Sequence, residues 1–131
     1  MKTKQLKVEV IKEDKGYSAT ARIGDYFVAT TGETLDELKS SFLETLNFAF
    51  EEEGIIYTKD DLIYEYDLES FFYFYRVINA KALSERIGMN QSLLAQYIKG
   101  IKKPSPAQTK RILTGVHQIG RELSEVRFLL Y

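Results

Sequence analysis

Apolar and polar positions first alternate in short runs and then settle into a helical period. From Leu6 to Ile11, Leu6, Val8 and Val10 alternate with Lys7, Glu9 and Ile11, the period-2 pattern of a half-buried strand. Asp14-Lys15-Gly16 supplies a turn, and Tyr17, Ala19 and Ala21 alternate with Ser18, Thr20 and Arg22 in a second strand ending at Gly24-Asp25. A third strand, Tyr26 to Thr30, closes at Gly32, so the three predict an antiparallel meander. Thr34 and Glu37 have the spacing of a capping box, in which hydroxyl and carboxylate satisfy each other's backbone N–H groups at a helix start. Leu35, Leu38, Phe42, Leu46, Ala49 and Phe50 then recur at helical spacing until Gly54, and Leu62 to Tyr66 reads as a fourth strand returning to the sheet.

Beyond residue 66 the pattern is helical. Asp67 is placed to cap a helix from Leu68 to about Ile78, with Leu68, Phe71, Phe72, Tyr75 and Ile78 on one broad face. The run Phe71 to Tyr75 is aromatic nearly all round, which predicts burial between elements rather than a base-stacking platform; a strand is the weaker alternative. Ala80 to Ile87 forms a short helix with Leu83 and Ile87 inward, ended by Gly88, and Asn90 caps a second helix through Lys99 with Leu94 and Tyr97 buried. Ser105, Pro106 and Gln108 supply a cap, a first-turn proline and a capping box for a third helix. Its predicted inner stripe is Ile112, Leu113, Val116 and Ile119, with Lys110 and Arg111 outside, and Gly120 frays or ends it. Val126, Phe128 and Leu130 then alternate, so the tail is a short strand or a dimer contact.

The predicted class is therefore α+β: an antiparallel sheet with a helix over residues 1–66, then an all-α domain over residues 67–131. Charge sharpens that division. The total over 131 residues is −1, but residues 1–70 carry 8 basic and 16 acidic side chains, whereas residues 71–131 carry 10 and 3. Halves of −8 and +7 suit a basic partner or solvent for the first and a polyanion for the second. The chain has no Cys and one His, so disulfides, thiolate metal sites and a histidine zinc centre are not expected, and neither is any cofactor. The opening residues have basic side chains without an apolar h-region, and no stretch approaches the ~18 apolar residues of a membrane span, which predicts a cytoplasmic protein.

The densest chemical signal lies between Ala80 and Gly100. Ser84 is small enough for the second helix to cross closely, Gly88 permits the sharp turn, and polar residues stand outward at the start of the second helix. That is the helix-turn-helix pattern, whose second helix enters the major groove. The base-contacting candidates are Asn90, Gln91, Ser92 and Gln96, because Asn and Gln pair bidentately with adenine and Ser bonds either base type. Lys81, Lys99, Lys102, Lys103 and Lys110 are the phosphate-contacting candidates.

Leu83 to Gly88, Gln91 to Gly100 and Lys103-Pro104-Ser105 resemble the Xre/Cro/phage-repressor class of helix-turn-helix domains, with Ser84 in place of the usual Ala. The first half, through Lys7 to Ala19 and Thr31 to Leu38, looks like the HicB antitoxin family, in which a degenerate RNase H-like sheet and helix precede a DNA-binding domain in many members. It departs from that family by Ile23-Gly24-Asp25 where a Pro-Gly-Cys turn is common. Together the resemblances span about residues 6–120. They imply a type II antitoxin whose acidic domain covers a small basic, mRNA-cleaving toxin of the HicA type, and whose second domain represses its own operon. The protein is expected as a homodimer or a higher even-numbered assembly, since one small reading head makes too few contacts and paired heads read half-sites ~34 Å apart.

Other functions fare worse. A two-metal nuclease needs converging carboxylates, and the available acids are Glu9 on the polar face of a strand, Asp25 at a turn and Asp36 or Glu37 on the helix, Glu37 being better used in the capping box. Any Ser-His-Asp arrangement would need His117, which reads as an outward-facing helical residue. Glu51-Glu52-Glu53 reads as a solvated helix end, with a docking surface for a basic partner as the other reading. The second live function is an orphan dimeric regulator without a toxin, and nothing in residues 1–66 shows a phosphate loop.

Overall fold

The computed structural model describes residues 5–130. Its first unit is built on strands β1 (Leu6–Lys12), β2 (Tyr17–Ile23), β3 (Tyr26–Gly32) and β4 (Leu62–Tyr66), with helix α1 (Leu35–Ala49) between β3 and β4. Helix α2 (Leu68–Phe74) follows. The sheet order is β3-β2-β1-β4. The alternation predicted for the first two strands is observed in Leu6, Val8, Val10, Ala19 and Ala21, which are buried, as is Val28 of the third. Leu38, Phe42 and Leu46 of α1 and Phe50 just after it complete that core. Thr34 caps α1, its Oγ1 accepting from the Glu37 N–H at 3.1 Å.

An antiparallel sheet was expected, and the sheet is mixed. β1 and β2, and β2 and β3, pair antiparallel, but β4 runs parallel to β1, from Leu6 opposite Leu62 to Val10 opposite Tyr66. The cause is α1. Two hairpin reversals leave β3 pointing the same way as β1, and a helix laid back over the sheet returns the chain to its starting end, so the next strand must repeat that direction. Asn47 fixes the return: its side-chain amide donates to the Tyr57 carbonyl at 2.9 Å and accepts from the Tyr57 N–H at 2.6 Å.

The first compact unit extends to Tyr73 and takes in all of α2 but its last residue. β4 stops opposite Val10, and the Lys12 N–H beyond it donates instead to Ser70 Oγ at 2.8 Å. The Lys12 ammonium also lies 4.7 Å from the centre of the Tyr73 ring, a cation–π contact. The aromatic helix is shorter and less buried than its composition predicts. It ends at Phe74 rather than Ile78, its buried residue is Ser70, and its aromatic rings are half-buried or exposed, with Tyr73 at 38%. β-Branched Val77 and Ile78 are weaker helix formers, and Asn79 must be extended to cap the next helix.

The second unit packs α3 (Ala80–Ile87), α4 (Gln91–Ile98) and α5 (Pro106–Ser124) around Leu83, Ser84, Met89, Leu94, Ile112 and Gly115. Each helix starts at a side-chain cap: Asn79 accepts from the Ala82 N–H, Asn90 from Leu93 and Ser105 from Gln108. On α5 the inner stripe is displaced from the one expected. Ile112 and Gly115 are buried, Val116 and Ile119 half-buried, and Leu113 is 51% exposed. The helix approaches α3 through its glycine: a Cβ on Gly115 would lie 2.4 Å from Ile87 Cγ2. Gly120 does not end the helix, which runs on to Ser124, and residues 126–130 have no regular structure, so the terminal-strand reading fails.

Candidate nucleic-acid interface

The turn between α3 and α4 is closed from three sides. Gly88 takes the left-handed conformation, φ 68°, that ends α3, and the Met89 N–H returns to the Ser84 carbonyl at 2.8 Å. Met89 and Ser84 are buried, the Ser84 hydroxyl donating to the Lys81 carbonyl at 2.6 Å. Arg111, expected to stand outside and free, is committed to the turn. Its Nε and Nη2 donate to the Ile87 carbonyl at 3.1 and 2.8 Å, and Nη2 to the Gly88 carbonyl at 2.7 Å. Those oxygens belong to the negative end of α3, where a guanidinium fork satisfies both the geometry and the dipole. Sequence spacing gives no hint of this role, because the two carbonyls come together with Arg111 only after α5 has packed. Further along, Arg86 Nη1 bonds Glu122 Oε2 at 2.7 Å, tying α3 to the last turns of α5. Arg86, and after it the Gln118 amide, hold the Glu122 carboxyl below the usual Glu range.

α4 presents one polar stripe and, beside it, a mostly apolar one. Leu94 is its buried anchor, and Ser92, Gln96 and Lys99, spaced i, i+4, i+7, run along the opposite side. Ser92 and Lys99 are exposed and Gln96 half-buried. Gln91, Ala95 and Ile98 form the neighbouring stripe and line a notch with Ala80, Lys81 and Lys99. The notch brings together Gln91, Lys81 and Lys99 of the predicted residues. Asn90 Oδ1 is engaged as the α4 cap, so this side chain positions the helix first. Lys102 and Lys103 are exposed on the loop between α4 and α5. Lys110 is placed apart from these, in a groove with Arg86, Arg111, Thr114 and Gln118.

Six of the sixteen acids of residues 1–70 lie on α1 and the loop after it, where Asp36, Glu37, Glu44, Glu51, Glu52 and Glu53 are exposed. Glu53 is more than a solvated end. It accepts a hydrogen bond from the Tyr26 hydroxyl, which raises the phenol above its ordinary pKa. Glu9 alternates with the buried Val8 and Val10 and is exposed on the other face of β1. His117 is exposed on α5. Among the described residues no cluster of three or more His, Cys, Asp or Glu is arranged to hold a metal, and no helix is long and apolar enough to cross a membrane. No protein-family profile matches the chain, and no curated protein or solved structure matches it significantly.

Proposed function

We propose that this chain is a HicB-like antitoxin with a C-terminal Xre/Cro-type helix-turn-helix: its second unit binds operator DNA and represses its own operon, and its first, acidic unit, a degenerate RNase H-like sheet and helix, neutralises a small basic, mRNA-cleaving toxin of the HicA type. The observation that carries the DNA half of this reading is the α3–α4 arrangement. A capped second helix is held by a pinned turn, with Ser92, Gln96 and Lys99 outward in the basic half of the chain. For the toxin half the support is electrostatic: acids on the solvent side of α1 and the loop beyond it would attract a basic, RNA-binding protein and raise its association rate. The protein acts in the cytoplasm as a homodimer or higher even-numbered assembly, without catalysis or a cofactor.

Purification of the chain from its native host, followed by gel shifts against the DNA upstream of its own reading frame, tests both halves. A co-eluting small basic protein together with a retarded operator is the expected result. A bare oligomer that still shifts the operator would make the chain an orphan regulator, and no preference for the operator over unrelated DNA would reject the helix-turn-helix reading.

A further inference from the structure

Among the described residues of the first unit, Phe48 and Ile56 are the most exposed large apolar side chains, at 78% and 73%. They line one hollow with Asn47, Glu51, Gly54 and Ile55. The core uses neither of them, since Leu46 and Phe50 on either side of Phe48, and Tyr57 beside Ile56, are the buried residues. Yet both are held in place. Asn47, next to Phe48, grips the main chain of Tyr57, next to Ile56, donating to its carbonyl at 2.9 Å and accepting from its N–H at 2.6 Å. An apolar pair kept in solvent by an ordered frame is pre-organised for a partner. Its rim is acidic. Glu44 lies one helical turn before Phe48 on the same face of α1, Glu51 lines the hollow, and Glu52 and Glu53 follow it. Residues 40–58 contain these four acids and no Lys, Arg or His. Three of the four stand at the carbonyl end of α1, whose last turn has no basic residue, so they add to a potential that the helix dipole already makes negative.

We infer that this patch is the docking surface for a basic protein, which closes an apolar cleft over Phe48 and Ile56 and sets Lys or Arg side chains against Glu44, Glu51 and Glu52. Glu53 is already engaged by the Tyr26 hydroxyl and keeps the loop beside the patch in place. The combination of the two chemistries selects the occupant. An apolar centre with an aromatic anchor inside a charged rim is the anatomy of a protein–protein contact, whereas a small cation would use the acids and leave Phe48 and Ile56 in water. The rim repels nucleic acid and anionic lipid, and a second copy seated through the same patch would set four carboxylates against four. A basic partner instead relieves the charge gathered at the end of α1. The surface deepens the proposed function by locating the contact with its basic partner; it rests on that reading for what the partner does, and on Phe48, Ile56 and the acids for the partner's chemistry.

Crosslinking in the native host, from a photoreactive phenylalanine analogue at position 48 of the full chain, tests it. Mass spectrometry of the joined peptides should identify a protein of net positive charge, attached at an apolar segment with Lys or Arg beside it. That protein is then purified and titrated against the full chain by calorimetry at two salt concentrations. Phe48→Ser and Ile56→Ser should each weaken binding at least about tenfold at either salt, with helical circular dichroism unchanged. Glu51→Lys combined with Glu52→Lys should weaken it most at low salt, and this charge pair keeps the test open should a Ser variant lose its fold. No adduct would overturn the inference, as would an adduct with an acidic protein, nucleic acid, another copy of the chain or the chain's own second unit. Wild-type affinity in either folded Ser variant would overturn it too. The two readings fail separately. A crosslinked basic protein that does not cleave mRNA removes the toxin and leaves the surface, and an mRNA-cleaving basic protein that binds both Ser variants at full affinity does the reverse.

Discussion

Arg111 shows how a side chain distant in sequence sets the geometry of the candidate interface. It makes three donor contacts to the carbonyls that end α3, and these fix the direction in which the chain enters α4. Because the side chain is exposed, its contribution to folding is modest, and Arg111→Ala should cost about 1 kcal/mol in urea unfolding. Arg111→Lys should recover little of this, since an ammonium cannot fork across two carbonyls. Operator affinity should fall in both variants, and in Arg111→Lys, which keeps the charge, with no change in salt dependence. Glu122 gives a pH signature. Its carboxyl is held low by Arg86 and Gln118, so the stabilisation is present above the ordinary Glu pKa and is lost as pH falls through the lowered value. Thermal melts of wild type and Glu122→Gln should therefore differ at neutral pH and converge in acid, and a difference that persists at low pH would assign the effect to packing.

Among the elements, what could be foreseen from sequence was what local chemistry decides. Thr34, Asn90 and Ser105 cap α1, α4 and α5 as their spacing predicts, and Leu6, Val8 and Val10 face the core as their alternation predicts. Three features escaped because they depend on packing between elements. β4 runs parallel to β1 because α1 returns the chain, and no property of Leu62 to Tyr66 encodes that direction. The inner face of α5 is rotated because Gly115, which an apolar stripe ignores, is its closest approach to α3. α2 buries Ser70 completely and its aromatic rings only partly, Tyr73 resting against Lys12 and Tyr17, because the end of β1 needs an acceptor that β4 is too short to give. That last feature is testable. Ser70 is 1% exposed, so Ser70→Ala leaves the Lys12 N–H facing a buried methyl and should destabilise the first unit by about 1–3 kcal/mol, measured by chemical denaturation. Ser70→Thr, which keeps the oxygen, should cost less.

For the molecule as a whole, the near-neutral total hides two oppositely charged units, and charge and recognition should therefore separate experimentally. Lys102 and Lys103 lie on an exposed loop immediately after α4, where a phosphate contact carries no sequence information. Each phosphate that a lysine neutralises releases counterions and contributes about 0.9 to the slope of log affinity against log salt, so replacing both with Ala should lower that slope by about 2. The loss should be equal for the operator and for scrambled DNA. Gln96→Ala should behave in the opposite way. Gln96 lies on the outward stripe of α4 with Ser92 and Lys99, and loss of a bidentate base contact should cost about 1–3 kcal/mol on the operator alone, with the salt slope unchanged. Fluorescence anisotropy at several salt concentrations, with both DNAs, resolves the two behaviours. If Gln96→Ala weakened both DNAs equally, α4 would be lying across the backbone rather than in the groove. If the lysine pair left the slope intact, the loop after α4 would be facing away from the duplex, and the basic charge that guides DNA would have to come from Lys81 and Lys99 beside the α3–α4 notch.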